Sequence, residues 1–166
     1  MKIEGKSIKL GDDINTDFII SGRYKFAITD IKELAKHIME DLDPNFFKKI
    51  VAGKSVIAAG NNFGMGSSRE QAPLVVKESG VVAVLAKSFA RIFYRNAFNI
   101  GLLLIEADTD KINENDELEI DLDSGVVKNL TSKVEIAIKP LPNFMQGLLN
   151  EGGIFNYIKK HGELKV

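Results

Sequence analysis

The sequence contains no cysteine. That excludes disulfides, and it excludes an iron–sulfur cluster held by thiolates of this chain. Histidine is scarce as well. His37 lies on a predicted amphipathic helix and His161 near the C-terminus, and both are expected to be surface residues rather than metal ligands. No excess of either charge is present, since 22 Lys and Arg face 23 Asp and Glu. Nucleic acid and membrane surfaces are therefore not expected partners. No apolar run approaches the roughly 18 residues of a membrane span. The start, Met1-Lys2-Ile3-Glu4-Gly5, has no signal-peptide pattern, so a cytoplasmic location is expected. Of the 166 residues, 45% are hydrophobic, enough for the core of a single domain spanning 1–166.

Arginine is the last scarcity, with four residues against 18 lysines: Arg23, Arg69, Arg91 and Arg95. Lysine suits a solvated surface, whereas the planar guanidinium suits bidentate contacts. Arg69 falls in the stretch that organises the chain, Ile57-Ala58-Ala59-Gly60-Asn61-Asn62-Phe63-Gly64-Met65-Gly66-Ser67-Ser68-Arg69-Glu70-Gln71-Ala72. Val56 to Ala59 predicts a buried strand. Gly60, Gly64 and Gly66 allow tight turns and close approach to a ligand. Ser67 with Glu70, and Ser68 with Gln71, match overlapping capping boxes, so a helix is predicted to start at Ser68. Its free N–H groups and positive end would favour an anion.

From the residues alone, two readings of this stretch stand. One is a capped helix and nothing more. In the other, Ser68 caps and Ser67 sits at the loop tip beside Arg69. Its hydroxyl can then carry negative charge and take a proton from carbon next to a carboxylate. Commoner glycine loops do not fit. A P-loop needs lysine after its last glycine, where Ser67 stands. A Rossmann fingerprint needs an acidic residue at the end of the next strand, where Lys87 stands.

The stretch Gly64-x-Gly66-Ser67-Ser68-Arg69-Glu70 resembles the active-site loop of the aconitase superfamily. Gly11-Asp12-Asp13-Ile14-Asn15-Thr16-Asp17 upstream and Lys87-Ser88-Phe89-Ala90-Arg91-Ile92-Phe93-Tyr94-Arg95-Asn96 downstream agree with it. The resemblance covers nearly the whole chain. Its spacing and short length are similar to the separate small subunits of 3-isopropylmalate dehydratases and their homoaconitase-like relatives. It implies an α/β fold, the swivelling β/β/α domain that closes over the active site in aconitases. It implies reversible dehydration of a 2-hydroxy dicarboxylate, with Ser67 as the base, and with Ser68, Arg69 and Asp17 binding substrate. The [4Fe-4S] cluster of the family is then expected on a larger dehydratase subunit, in a heterodimer or heterotetramer, with none on this chain. Gln71 departs from the family's common histidine, and Met65 from a frequent cysteine. Relatives choose substrate with the loop at Arg23 to Asp30, and those acting on a tricarboxylate place an arginine after the tyrosine. Here Lys25, Phe26, Ala27 and Ile28 stand instead, which suits a branched alkyl group, with Lys25 able to reach a carboxylate if turned inward. A homoaconitase or methylmalate-type hydro-lyase subunit, and a stand-alone carboxylate-binding module, are the alternatives.

The remaining chain predicts strands at Lys2–Leu10, Phe18–Ile20, Val81–Ala86, Leu102–Ile105, near Leu118–Leu122, at Val126–Val127 and at Val134–Ile138. It predicts helices at Ile31–Asp41 capped by Asp30, after Asp43-Pro44, after Ser88 with Ser88 as its cap, and at Asn143–Leu149 and Ile154–Lys160. Arg91 and Arg95 lie one turn apart on the helix after Ser88, in a role left open between structure and function. The acidic stretch from Glu106 to Asp123 reads as a solvated hairpin face. A mainly antiparallel part should join a βαβα core with parallel strands.

Overall fold

Short apolar runs rich in β-branched residues become the centre of one sheet. The computed structural model describes residues 1–164. Its strands are β1 (Lys2–Lys9), β2 (Ser55–Ala59), β3 (Val81–Ala86), β4 (Leu104–Glu106), β5 (Glu117–Asp121), β6 (Val126–Asn129) and β7 (Val134–Ala137). They form a seven-stranded sheet in the order β4-β3-β2-β1-β5-β6-β7. The strands from β1 to β4 are parallel, with Ile8 opposite Ile57, Ile57 opposite Val84, and Val84 opposite Leu104. The other half is antiparallel, with Ile3 opposite Ile120 and Ile120 opposite Val127. The predicted parallel and antiparallel parts are thus one sheet sharing β1.

The parallel strands are buried on both faces, as their unbroken apolar runs require. Ile57, Ala59, Val84 and Ala86 point into a core built with the helices. Val56, Ala58, Ala83 and Leu85 point the other way, into a second core with Leu118, Ile120, Val127 and Ile136. The antiparallel strands therefore cover one face of the parallel half. Helices cover the other: α1 (Thr16–Ile19), α2 (Gly22–Lys25), α3 (Ile31–Ala35), α4 (Phe46–Lys49), α5 (Gln71–Glu78) and α6 (Arg91–Asn99). Two more, α7 (Asn143–Asn150) and α8 (Ile154–His161), close the chain.

Four local expectations are corrected by tertiary contacts. Phe18–Ile20 is not a strand, because the Asn15 side chain accepts from Phe18 N–H at 2.9 Å and winds the segment into α1. The helix after Asp30 does cap as predicted but ends at Ala35. Met39 turns left-handed, at φ 53°, and donates its N–H to the Ile19 carbonyl at 3.0 Å. The helix after the glycine loop begins at Gln71, and neither Ser67 nor Ser68 caps it. Ser88 does not cap α6 either, because its hydroxyl accepts from Asn62 N–H, in the glycine loop, at 2.8 Å.

The acidic stretch is only partly a solvated face, since Asp116 is buried. Its carboxylate accepts from Asn129 Nδ2 at 2.6 Å and from Asn113 N–H at 2.8 Å, and its own N–H donates to Ser7 Oγ at 2.9 Å. This network ties β1 to the turn before β5 and to the end of β6. Removing a partner from a buried charge leaves it desolvated and unpaired. Asn129→Ala is expected to destabilise the fold by about 2–3 kcal/mol, read as a lowered denaturation midpoint in urea.

Candidate active site

Three loops leave the carboxyl ends of the parallel strands β1, β2 and β3, and their main chains are bonded to one another. The loop after β1 joins the glycine loop after β2 through Gly60 N–H to Gly11 O, Asp13 N–H to Asn61 O, Gly64 N–H to Ile14 O and Thr16 N–H to Met65 O, at 2.7–3.0 Å. The glycine loop joins the loop after β3 through Phe63 N–H to Ser88 O and Ala90 N–H to Phe63 O, both at 3.0 Å. The parallel pairing of the sheet thus continues past the strand ends. Asp12 locks the first contact by accepting from Asn61 N–H at 2.6 Å.

Gly64 has φ +82°, and a side chain there would run into the Phe93 ring of α6. Glycine is thus needed at Gly64 for both its conformation and its lack of bulk. Phe93 in turn meets Phe63 edge-on, with ring centres 5.4 Å apart. The close packing sets the first turns of α6 beside Ser67.

The result is a cavity of about 500 Å³, open to solvent. Ser67, Ser68 and Arg69 line one side, and Arg91, Ile92 and Arg95 of α6 line the other. Among the described residues, three arginines line it and no carboxylate does. Such a wall favours an anion.

Ser67 is exposed at the tip. The buried Thr16 hydroxyl donates to the Ser67 carbonyl at 2.9 Å and lies 3.5 Å from Ser67 Oγ. Sequence reasoning passed over Thr16, whose only signal was its place beside Asp17 in the Gly-Asp-Asp loop. The Arg69 guanidinium is largely buried, pairs with the more exposed Asp17, and donates to the Ile20 carbonyl at 3.0 Å. Asp17 does not line the cavity. It pairs with Arg69 Nη2, and the guanidinium has five N–H donors, so others remain for a ligand.

Lys25, Phe26, Ala27 and Ile28 do not line the cavity either. Phe26 is 85% exposed, Lys25 lies over its ring, and Ile28 packs against the helix-side core. The loop meets the site through Ile20 and Gly22, which border Arg69. Its other side is anchored by His37, which is more than the surface residue expected. The His37 ring stacks on Tyr24 at 3.9 Å, and its Nδ1 lies 2.5 Å from Glu40. The Tyr24 hydroxyl donates to Glu40 at 2.8 Å, and Arg23 pairs with Asp41 at 2.5 Å.

Among the described residues, no group of three or more His, Asp or Glu is placed to hold a metal. No helix among them is long and apolar enough to cross a membrane.

The Aconitase C-terminal domain family matches residues 30–110, the segment that carries the glycine loop, β3, α6 and the arginines of the cavity. Fold and site together define a domain of that class. Full-length relatives narrow it. The chain is 56% identical, over 100% of both sequences, to 3-isopropylmalate dehydratase small subunit 2 of Archaeoglobus fulgidus. It is 53% identical to small subunit 1 of the same enzyme from Thermotoga maritima, over 96% of each. The crystal structure of 3-isopropylmalate dehydratase (leuD) from Methanocaldococcus jannaschii superposes with a TM-score of 0.91 at 48% identity, covering 98% of this chain and 96% of that one. The chain belongs to the 3-isopropylmalate dehydratase small-subunit family.

The anchor of the substrate-loop segment is sensitive to acid. The His37 ring, then the Tyr24 hydroxyl and the nearby Arg23 charge, hold the Glu40 carboxyl below the usual carboxylate range. Its contribution to stability is complete above the ordinary carboxylate pKa of about 4.3 and is lost as pH falls through the lower folded value. Glu40→Gln is therefore expected to lower the melting temperature at pH 7, and the gap to wild type should close below about pH 4. Thermal melts across that range check it.

Proposed function

We propose that this chain is the small subunit of a 3-isopropylmalate dehydratase, a hydro-lyase that isomerises 2- and 3-isopropylmalate by dehydration and rehydration in leucine biosynthesis. Residues 1–166 are taken as one such domain. The observation that carries the reading is the Ser67-Ser68-Arg69 tip on an arginine-walled cavity free of carboxylates.

In this reading Ser67 Oγ takes the proton from the substrate carbon next to a carboxylate. Serine is a weak base in water, and it becomes usable where its surroundings favour the ionised form. Arg69 supplies fixed positive charge beside it, and Thr16 fixes the Ser67 main chain. Ser68 and the free donors of Arg69 hold the substrate carboxylate. Asp17 and the Ile20 carbonyl each take one terminal nitrogen of the guanidinium, so it is oriented before substrate arrives.

The class needs a metal Lewis acid to take the leaving hydroxyl, and this chain has neither a thiol nor a clustered donor set among its described residues. The [4Fe-4S] cluster is assigned to a larger partner subunit. No arginine lies between Tyr24 and Asp30, so a third carboxylate would lack a bidentate partner there. An apolar branch suits Phe26, Ala27 and Ile28, with the substrate brought to them when the partner closes the site.

Three measurements test the reading. In the reconstituted complex, Ser67→Ala should lower kcat for isopropylmalate by about 10²–10⁴ while subunit association persists. A variant within a fewfold of wild type overturns the assignment of the base. Arg69→Lys should raise KM, because a point charge does not reproduce the fork. The purified chain alone should show no turnover and gain it only with the large subunit. Turnover by the lone chain defeats the two-subunit reading.

A further inference from the structure

Arg23 and Arg69 each have an acidic partner, Asp41 and Asp17. Arg91 and Arg95 have none among the described residues: neither makes an ion pair or a side-chain hydrogen bond, although Glu106 shares a second cavity of about 330 Å³ with both. Both are exposed. Ile92, between them in sequence, is 56% exposed, while Phe93 beside it is buried against Gly64. One turn of α6 thus presents two free cations and an uncovered branched apolar side chain. All three line the cavity that holds Ser67.

That location limits what can cover them. Under the function proposed above, Ser67 acts on a substrate whose metal is carried by another chain. The metal-bearing surface must then come within a substrate's length of Ser67, and the rim of this cavity must face it. We propose that Arg91, Ile92 and Arg95 form the docking patch for the large subunit, which meets the arginines with carboxylates and Ile92 with an apolar socket. The charge of this patch favours an acidic partner surface, since no acidic residue among those described lines the cavity. Exposed arginine beside an apolar anchor is also the composition enriched at protein interfaces.

The experiment measures association of the chain with the large subunit across a salt series, by a kinetic binding assay. Wild-type association should weaken as salt rises, mainly through a slower on-rate. The double variant Arg91→Ala/Arg95→Ala should weaken association by about tenfold or more and flatten its salt dependence. Arg91→Lys/Arg95→Lys keeps both charges and should restore most of the slope. Ile92→Asp should weaken association at every salt concentration. Circular dichroism and thermal melts of the free variants should match wild type, because the three side chains are exposed. Unchanged association in the alanine double variant overturns the proposal, and a raised KM in that case marks the arginines as substrate ligands instead. Salt-insensitive wild-type binding overturns it as well, without any variant. Ser67→Ala separates this test from that of the proposed function, because it should lose turnover and keep association. Harmless loss of Ser67 with arginine-dependent association would sink the mechanism and leave the docking patch standing.

Discussion

The structure depends on one constraint: three loops must be bonded to one another beyond the ends of the strands they leave. The bonds are main chain to main chain, from Gly60 N–H to Gly11 O through Ala90 N–H to Phe63 O. They place residues from three distant segments on one shared surface at the carboxyl ends of parallel strands, where open α/β sheets commonly bind ligands. Side chains contribute only at a few points, such as Asp12 to Asn61 N–H and Ser88 to Asn62 N–H. The glycines follow from this. At Gly60 a side chain would strike the Asp12 carboxylate, and at Gly64 it would strike Phe93. The loops can be zipped this closely only where those positions carry no Cβ.

The electrostatics of the cavity follow from the same packing. Phe93 seats α6 on Gly64, which brings Arg91 and Arg95 across from Arg69. Among the described residues, only Arg69 of the three is restrained by polar partners, Asp17 and the Ile20 carbonyl. A restrained guanidinium loses little freedom when it binds a carboxylate, so its geometry discriminates well. Exposed, unrestrained arginines bind less selectively, and salt screens them more strongly than it screens the largely buried Arg69. The cavity therefore divides its charge into a restrained part beside Ser67 and an exposed part on α6.

The layout of the fold was legible wherever burial alone decides. The continuous apolar runs of β2 and β3 and the alternation of Leu118, Ile120 and Leu122 each matched their strands. The site was legible as a composition of residues but not as local geometry. Ser67, Ser68 and Ser88 match capping patterns, and none of them caps a helix. Capping rules consider neighbours in sequence, whereas Ser88 is used by an N–H 26 residues away and the Ser67 carbonyl by a hydroxyl 51 residues away. The same blindness hid Thr16, the burial of Asp116 and the anchoring work of His37. Each acts through a partner in a distant segment or around a turn, where periodicity carries no information.

Under the proposed function, the segment from Arg23 to Asp30 shows how far one chain can specify the reaction. Its base is fixed, with Tyr24 stacked on His37 and bonded to Glu40 and Arg23 paired with Asp41. Its tip is not, with Phe26 left 85% exposed and Lys25 resting on the outer face of that ring. Leaving so large an aromatic surface in water forgoes about 1.5–3 kcal/mol of burial. A monomer gains nothing from that, whereas a tip that is buried only when a partner and substrate arrive gains it at assembly. Under the proposed function, specificity would depend on an anchored base that sets where the tip can reach, and on an apolar tip that completes its packing in the assembled site. If the loop reads substrate as proposed, it does so only in the complex, because its tip lies outside the cavity of the chain alone.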